Sequence, residues 1–190
     1  NALNPYDYTG RIHNDILESL DGMDLGLTSV EQISTLIDSI EAAHPDVPYP
    51  AASLSNLTGE ISWMANDNSA LDDILMDSSL GITAQSSLSG FIDSLLLLNS
   101  ASFDDIYSMI VLYEASVLAN SAFTTTEKRT ILTTTSVARF SLHRKKRKDK
   151  DWETSVGNYA GTVYGAQENG LLGLKLAAAV GVYQNSPITD

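Results

Sequence analysis

The residues best suited to chemistry lie at the start of the sequence, at Tyr6, Asp7, His13 and Asn14. A histidine near a carboxylate is a common pair for general acid and base catalysis. At helical spacing Tyr6, Gly10 and His13 share one side of a helix, where a glycine lets a ligand or a second helix approach closely. Asp7, His13 and Asn14 are therefore candidate catalytic residues. The favoured alternative is that Gly10 permits helix packing and that His13 and Asn14 bond to backbone groups, because no nucleophile or second ligand stands at a fixed spacing.

Acidic groups and histidines are the residue types that could bind a metal ion. The acidic groups are Asp21 with Asp24, Asp67 with Asp72 and Asp73, and Asp104 with Asp105. None has the residue order of a calcium loop, so we expect them to cap helices or face solvent. The histidines, His13, His44 and His143, are far apart and lack the H-E-x-x-H spacing of a zinc site. We predict no metal site and no cofactor, and no phosphate loop, dinucleotide fingerprint or nucleophile elbow occurs.

A dense basic run occupies residues 144–150 and holds six of the eleven lysines and arginines. One interpretation is that it binds an anionic surface such as phospholipid, acidic polysaccharide or nucleic acid, through Arg144, Lys145, Lys146, Arg147 and Lys148. The favoured alternative is a solvated turn that neutralises part of an acidic body. Because the run contains no aromatic residue, stacking on bases is not expected.

Three glycines stand four residues apart, at Gly157, Gly161 and Gly165. Such a series clears a groove along one helix face and lets another backbone pack closely. Polar neighbours such as Asn158 and Thr162 argue against association of membrane spans. We expect this face to mediate close packing within the fold or a homo-oligomer.

Composition narrows the class of protein. The chain has no cysteine, which excludes disulfides, thiolate metal ligands and a cysteine nucleophile. Its net charge is −13, so bulk nucleic-acid binding is not expected. The charge is uneven: residues 1–127 carry 19 acidic side chains and only Arg11 as a base. No apolar stretch approaches the roughly 20 residues of a transmembrane segment, and none is predicted.

Apolar residues at spacings of three and four, together with capping signals, predict helices throughout the chain. Asn4 and Pro5 read as a helix start, and capping-box patterns begin at Thr28, Ser102 and Thr124. The widest apolar stripe, from about Ala84 to Asn99, predicts the most buried helix.

The later helices are less regular. A threonine-rich stretch at 133–135 weakens the helix that follows Thr124, so neighbouring packing must compensate for it. Another helix is expected to begin near Asp151 or Trp152. We predict an all-α fold, a single domain over residues 1–190, with seven or eight helices in orthogonal or bundle-like packing.

The opening segment, residues 4–14, reads Asn-Pro-Tyr-Asp-Tyr-Thr-Gly-Arg-Ile-His-Asn. It resembles the start of uncharacterised exported proteins of Bacteroidota bacteria, often lipoproteins, which begin N-P-Y-D-x-x-G-x-x-H-N. A second similar segment is 136–141, Ser-Val-Ala-Arg-Phe-Ser, followed by Asp151-Trp152 and a glycine-rich tail like 157–165. These segments cover about a third of the chain. The resemblance implies a mature domain in the periplasm or at the cell surface, after removal of a leader, with a lipid anchor upstream of residue 1. It implies no activity.

These observations favour a non-catalytic, exported cell-envelope domain with an interaction or structural role, whose partner is an envelope protein or an anionic surface. One alternative is a hydrolase-like enzyme with a site around Tyr6, Asp7, His13 and Asn14. Another is an anionic-surface-binding protein that uses the basic run. The absence of a recognisable catalytic constellation inclines the prediction away from an enzyme.

Overall fold

A computed structural model describes residues 1–21, 29–47, 49–98, 101–148 and 156–185, with side chains up to residue 142 in the fourth range. Within these ranges nine α-helices and one 3₁₀ turn at Leu54–Asn56 account for the regular structure, and there is no strand. The helices are α1 (Asp7–Asp21), α2 (Val30–Ala43), α3 (Thr58–Asn66), α4 (Ala70–Met76), α5 (Ile82–Leu97), α6 (Phe103–Ala119), α7 (Thr125–Lys148), α8 (Val156–Ala166) and α9 (Gly170–Asn185).

The all-helical prediction is confirmed, whereas the predicted count of seven or eight helices is too low for the described residues. The first helix also begins later than predicted. The Asn4 side chain accepts a hydrogen bond from Tyr6 N at 2.8 Å, but residues 4–7 form a turn and α1 starts at Asp7. The predicted helix start at Asp151 or Trp152 lies outside the described residues.

Helix α9 is the centre of the fold. All residues from Leu172 to Val182 are buried, and α1, α2, α3, α7 and α8 pack around the helix. Apart from Lys175 these buried residues are apolar or glycine, and a helix that is apolar on all its faces must be covered on every side. Among the described residues, no helix is both long enough and apolar enough to cross a membrane.

The predicted glycine face lies on α8 and contacts α9 of the same chain. A Cβ atom on Gly161 would lie 2.7 Å from the carbonyl carbon of Leu176, and one on Gly165 would lie 2.6 Å from the backbone nitrogen of Gly173. Gly157 instead faces the side chains of Val180 and Gln184. The order of these contacts shows that α8 and α9 form an antiparallel hairpin, whose backbones are close at Gly161 and Gly165. Close packing within the fold is thus present, and the homo-oligomer remains a prediction.

The prediction that the stripe from Ala84 to Asn99 forms the most buried helix is wrong. On α5 only Ala84, Leu88, Phe91 and Ile92 are buried, while Leu97 is 84% exposed. Apolar periodicity reports that one face is covered, but it does not report how many neighbours cover the helix. The number of covering neighbours is what distinguishes the partly exposed α5 from the buried α9.

Two of the three capping signals act as predicted. Ser102 Oγ accepts from Asp105 N at 3.2 Å, and Thr124 Oγ1 accepts from Glu127 N at 3.2 Å. Glu127 completes its box by accepting from Thr124 N at 2.6 Å, and its second oxygen accepts from Gly81 N at 2.9 Å. At the third signal the N-cap of α2 is Ser29, and Thr28 lies outside the described residues.

The threonine-rich part of α7 receives the packing it needs. Every residue from Thr130 to Arg139 is buried, between α1, α6, α8 and α9. Thr134 Oγ1 donates to Thr130 O at 2.9 Å and Thr135 Oγ1 donates to Leu132 O at 3.1 Å, so these hydroxyls are satisfied within their own helix. Burial of the helix thus offsets the low helix propensity of its threonines.

We predict that Gly161→Ala destabilises the protein by about 1–3 kcal/mol, because the added methyl group has to push α9 away from α8. The control is Gly90→Ala on α5, where no atom lies within 4 Å of the new Cβ. That variant is expected to gain about 0.5–1 kcal/mol from the better helix propensity of alanine. Urea unfolding measures both values, and equal effects would contradict the close α8–α9 contact.

A second prediction concerns Glu127. Hydrogen bonds from the backbone N–H groups of Thr124 and Gly81 lower the pKa of this carboxyl below its ordinary 4.5. A lowered folded-state pKa means that the carboxylate stabilises the protein above pH 4.5 and that this stabilisation is lost as the pH falls through the folded value. Glu127→Gln should therefore shift the urea midpoint most at neutral pH and progressively less in acid. A shift that is constant with pH would show that the charge is not involved.

Candidate functional site

The candidate residues of the opening segment lie at the contact between α1 and α7. Gly10 N donates to Ser136 Oγ at 3.1 Å, and this hydroxyl donates to the Asp7 carbonyl at 3.0 Å. A Cβ atom on Gly10 would lie 2.6 Å from the Phe140 ring, so only glycine lets the two helices approach this closely. Gly10 therefore permits close packing of α1 against α7, which is the role that the favoured interpretation of the sequence gave it.

His13 and Asn14 lie one turn further along the same contact. Asn14 Nδ2 donates to the backbone carbonyl of Phe140 at 2.8 Å. His13 is completely buried, and its Nδ1 lies 3.4 Å from Asn14 Oδ1. Asn14 thus bonds to a backbone group of the neighbouring helix, as the favoured interpretation of the sequence predicted.

Asp7 forms an ion pair with Arg139 of α7. The Arg139 side chain is only 3% exposed, and its Nε lies 3.6 Å from Glu114 Oε1 on α6. Its guanidinium also lies over the Phe140 ring, 5.0 Å from the centroid, where a cation is attracted to the aromatic face. One arginine thereby connects α1, α6 and α7.

Glu114 is the most deeply buried acid of this cluster, with no exposed surface. Its Oε1 accepts from Asn4 Nδ2 at 2.8 Å and from Thr135 Oγ1 at 3.0 Å, and its Oε2 accepts from Asn1 Nδ2 at 2.7 Å. Asn4 Nδ2 also donates to the Leu132 carbonyl at 3.0 Å. Both oxygens of this carboxyl group are therefore engaged by hydrogen-bond donors of the protein itself.

The tyrosines of the opening segment lie near this cluster but do not join it. Tyr6 precedes α1 and is half-buried, and Tyr8 is 39% exposed. Partial burial and the neighbouring Tyr6 raise the pKa of Tyr8, while Arg129 opposes the rise. The Tyr8 hydroxyl is therefore protonated at neutral pH, which suits a hydrogen-bond donor and not a base.

A second buried polar cluster surrounds Lys175, a lysine on α9 that is 1% exposed. Its Nζ lies 2.6 Å from Asp38 Oδ1 and 3.3 Å from Glu41 Oε2, and donates to the Ala52 carbonyl at 3.1 Å. Glu41, also 1% exposed, accepts from Ala51 N at 2.8 Å. Three acceptors thus surround the Lys175 Nζ, and its hydrogen-bonding capacity is taken up by protein groups. The cluster joins α9 to α2 and to the segment after α2.

The other predicted residues do not converge in the described part of the chain. His44 Nε2 lies 3.2 Å from Asp15 Oδ2, whereas His13 is buried at the contact between α1 and α7. The side chain of His143 is not described. Asp67 Oδ1 accepts from Ser69 N and from Ser69 Oγ, both at 2.8 Å, and Asp105 Oδ2 accepts from Ser102 Oγ at 2.6 Å. Within the described residues no group of three potential ligands could hold a metal ion.

The basic run is described only as backbone, as the end of α7 up to Lys148. The side chains of Arg144, Lys145, Lys146, Arg147 and Lys148 lie outside the description, and so do Asp149 and Lys150. Binding of an anionic surface by this run therefore stays a prediction.

Sequence reasoning missed three residues that organise these clusters, namely Glu114, Arg139 and Lys175. Each is a single charged residue inside an otherwise apolar or uncharged stretch of helix, such as Leu-Gly-Leu-Lys-Leu-Ala-Ala around Lys175. A long charged side chain in such a position is rarely buried unless it is paired. That pattern could have identified them as buried ions, although it does not identify their partners.

No protein-family model matches this chain, and no curated protein or solved structure matches it either. The function proposed below therefore depends on the geometry of this chain and on the resemblance of its opening segment.

We predict that Arg139→Met destabilises the protein by about 3–5 kcal/mol, because it leaves the buried Glu114 carboxylate without its cation. Adding Glu114→Gln to the same chain removes the unpaired charge and should restore part of the loss. Urea unfolding of the two single variants and the double variant forms a double-mutant cycle. Losses that simply add would show that the two side chains do not interact.

Proposed function

We propose that this protein is a non-catalytic domain of the bacterial cell envelope, exported from the cytoplasm, with a structural or interaction role. The supporting observation is that polar groups of the opening segment are engaged in contacts between helices. Asn4 bonds to Glu114 and Leu132, Gly10 to Ser136, and Asn14 to Phe140. Groups engaged in this way contribute to helix packing and are not presented to a substrate.

The two segments that carry the resemblance are also partners of each other. Residues 4–14 lie along residues 132–140, with Asn4 at Leu132, Gly10 at Ser136 and Asn14 at Phe140. A packing contact would by itself account for both segments, and no reaction is needed to explain their residues. The location outside the cytoplasm comes from the resemblance alone and is part of the proposal.

The test compares His13→Ala and Asn14→Ala with Glu18→Ala, an exposed position on the same helix. Asn14→Ala should lower the free energy of unfolding by about 1–3 kcal/mol, because the Phe140 carbonyl loses its donor. His13→Ala should also be destabilising, since it leaves a cavity, and Glu18→Ala should have little effect. Thermal melts and a panel of ester, peptide and glycoside substrates are measured on each variant.

A turnover by the wild type that is lost in His13→Ala at an unchanged melting temperature would overturn the proposal in favour of the hydrolase-like alternative. Location is checked on the same protein in its own cells, by fractionation and by protease treatment of intact cells. Recovery in the envelope or periplasm is expected, and recovery in the cytoplasm alone would contradict export.

A further inference from the structure

Lys175 of α9 and two acidic residues of α2 meet at one point inside the fold. The Lys175 Nζ lies 2.6 Å from Asp38 Oδ1 and 3.3 Å from Glu41 Oε2. The side chains of Lys175 and Glu41 are each 1% exposed, and that of Asp38 is 22% exposed. One amine is thus in contact with two carboxyl groups, and Asp38 has the most contact with solvent of the three side chains.

The Asp38 carboxyl group is oriented by the segment that follows α2. Leu54 N donates to Asp38 Oδ2 at 3.0 Å and to Oδ1 at 3.2 Å, and Ser53 Oγ donates to Oδ2 at 2.6 Å. Oδ2 therefore accepts from two groups, whereas Oδ1 faces the lysine amine. Donors fixed on a carboxyl oxygen stabilise the negative charge that develops there when a nucleophile adds to the carbon.

The other two side chains are held by the same segment. Ala51 N donates to Glu41 Oε1 at 2.8 Å, while Glu41 Oε2 faces the Lys175 Nζ. The Nζ also donates to the Ala52 carbonyl at 3.1 Å. Because folding has already fixed their orientation, such groups react at effective concentrations far above those of free molecules.

We propose that Lys175 and Asp38 condense to form an intramolecular isopeptide bond, with Glu41 as the proton carrier. A proton passes from Nζ to Glu41 Oε2 and from there to Asp38 Oδ1, which gives an amine and a carboxylic acid. The nitrogen lone pair adds to Asp38 Cγ, and the electron pair of the C=O bond moves to Oδ2, where Leu54 N and Ser53 Oγ donate. A second proton then passes from Nζ through Glu41 to Oδ1, the Cγ–Oδ1 bond breaks, and the C=O bond forms again.

This reaction balances without a co-reactant. Nζ loses two protons, Oδ1 takes up both and leaves as water, and Glu41 ends in its starting form. The partly exposed Asp38 gives the water a route to solvent. The product amide carries no charge, so the desolvation cost of a buried ammonium and carboxylate is removed.

The bond joins α2 to α9 in a chain that has no cysteine. A cross-link restricts the unfolded chain and so stabilises the folded one, and this effect grows with the length of the closed loop. The loop here runs from residue 38 to residue 175. The bond forms once per chain without turnover, so it goes beyond the proposed function and does not depend on it.

The first test is the intact mass of the folded, purified wild-type protein, measured after denaturation. This mass should be lower than that of the sequence by one water molecule. Chymotryptic digestion and tandem mass spectrometry should then yield a branched peptide that joins Asp38 to Lys175. The branched peptide distinguishes this bond from water loss at another aspartate through a succinimide.

Two pairs of variants test the residues. Lys175→Arg keeps the positive charge but should have its full sequence mass, whereas Lys128→Arg, at another lysine that donates to a backbone carbonyl, should still lose one water. Glu41→Gln should slow bond formation about a hundredfold, because the proton carrier is removed. Glu31→Gln, at an exposed position of the same helix, should react at the wild-type rate. The cross-linked fraction is followed by mass after cell-free synthesis, and circular dichroism confirms folding.

Folded wild-type protein that keeps its full sequence mass after days at neutral pH would overturn the proposal, and so would a branched peptide at other residues. Both results come from the wild type, so they hold even where a substitution prevents folding. Bond formation at the wild-type rate in folded Glu41→Gln would overturn the role of Glu41 as proton carrier. None of these results bears on the proposed function, whose test is the stability and turnover of the His13 and Asn14 variants.

Discussion

The complete burial of α9 is the constraint on which the rest of the structure depends. Its residues from Leu172 to Val182 are all buried, so no side of the helix can face water. Five helices, α1, α2, α3, α7 and α8, surround it, and they come from both ends of the sequence. Glycines on α8 let one of these neighbours approach to backbone contact, which leaves room for the others. Packing around α9 therefore positions these five helices relative to one another.

Buried charges then specify how the surrounding helices are positioned. Apolar side chains alone would tolerate rotation or sliding of one helix on another, whereas an ion pair is satisfied in few arrangements. Lys175 requires Asp38 and Glu41 of α2, and Glu114 requires Arg139 of α7. Burying these charges costs desolvation free energy, which pairing and hydrogen bonds offset. We interpret both clusters as positional constraints that select one packing of the helices among several with similar apolar burial.

Local features of this fold could be predicted from sequence and long-range ones could not. The all-helical class and the caps at Ser102 and Thr124 follow from residues within one turn of each other. The Lys175 cluster joins residues 134 positions apart, and no local pattern specifies such a pairing. The choice of α5 over α9 as the most buried helix failed for the same reason, since periodicity describes one helix at a time. The opening segment was correctly identified as a close helix contact by Gly10, but its partner on α7 was not.

The contact between α1 and α7 also bears on where function should be sought. Residues 4–14 and 136–141 were singled out because their sequence is distinctive, yet Asp7, Gly10 and Asn14 bond to residues 136–140 across the contact between α1 and α7. A likeness between proteins that is carried by these residues is a likeness of packing, and it is compatible with different activities. Sites that differ between such proteins would then lie on surfaces outside this contact.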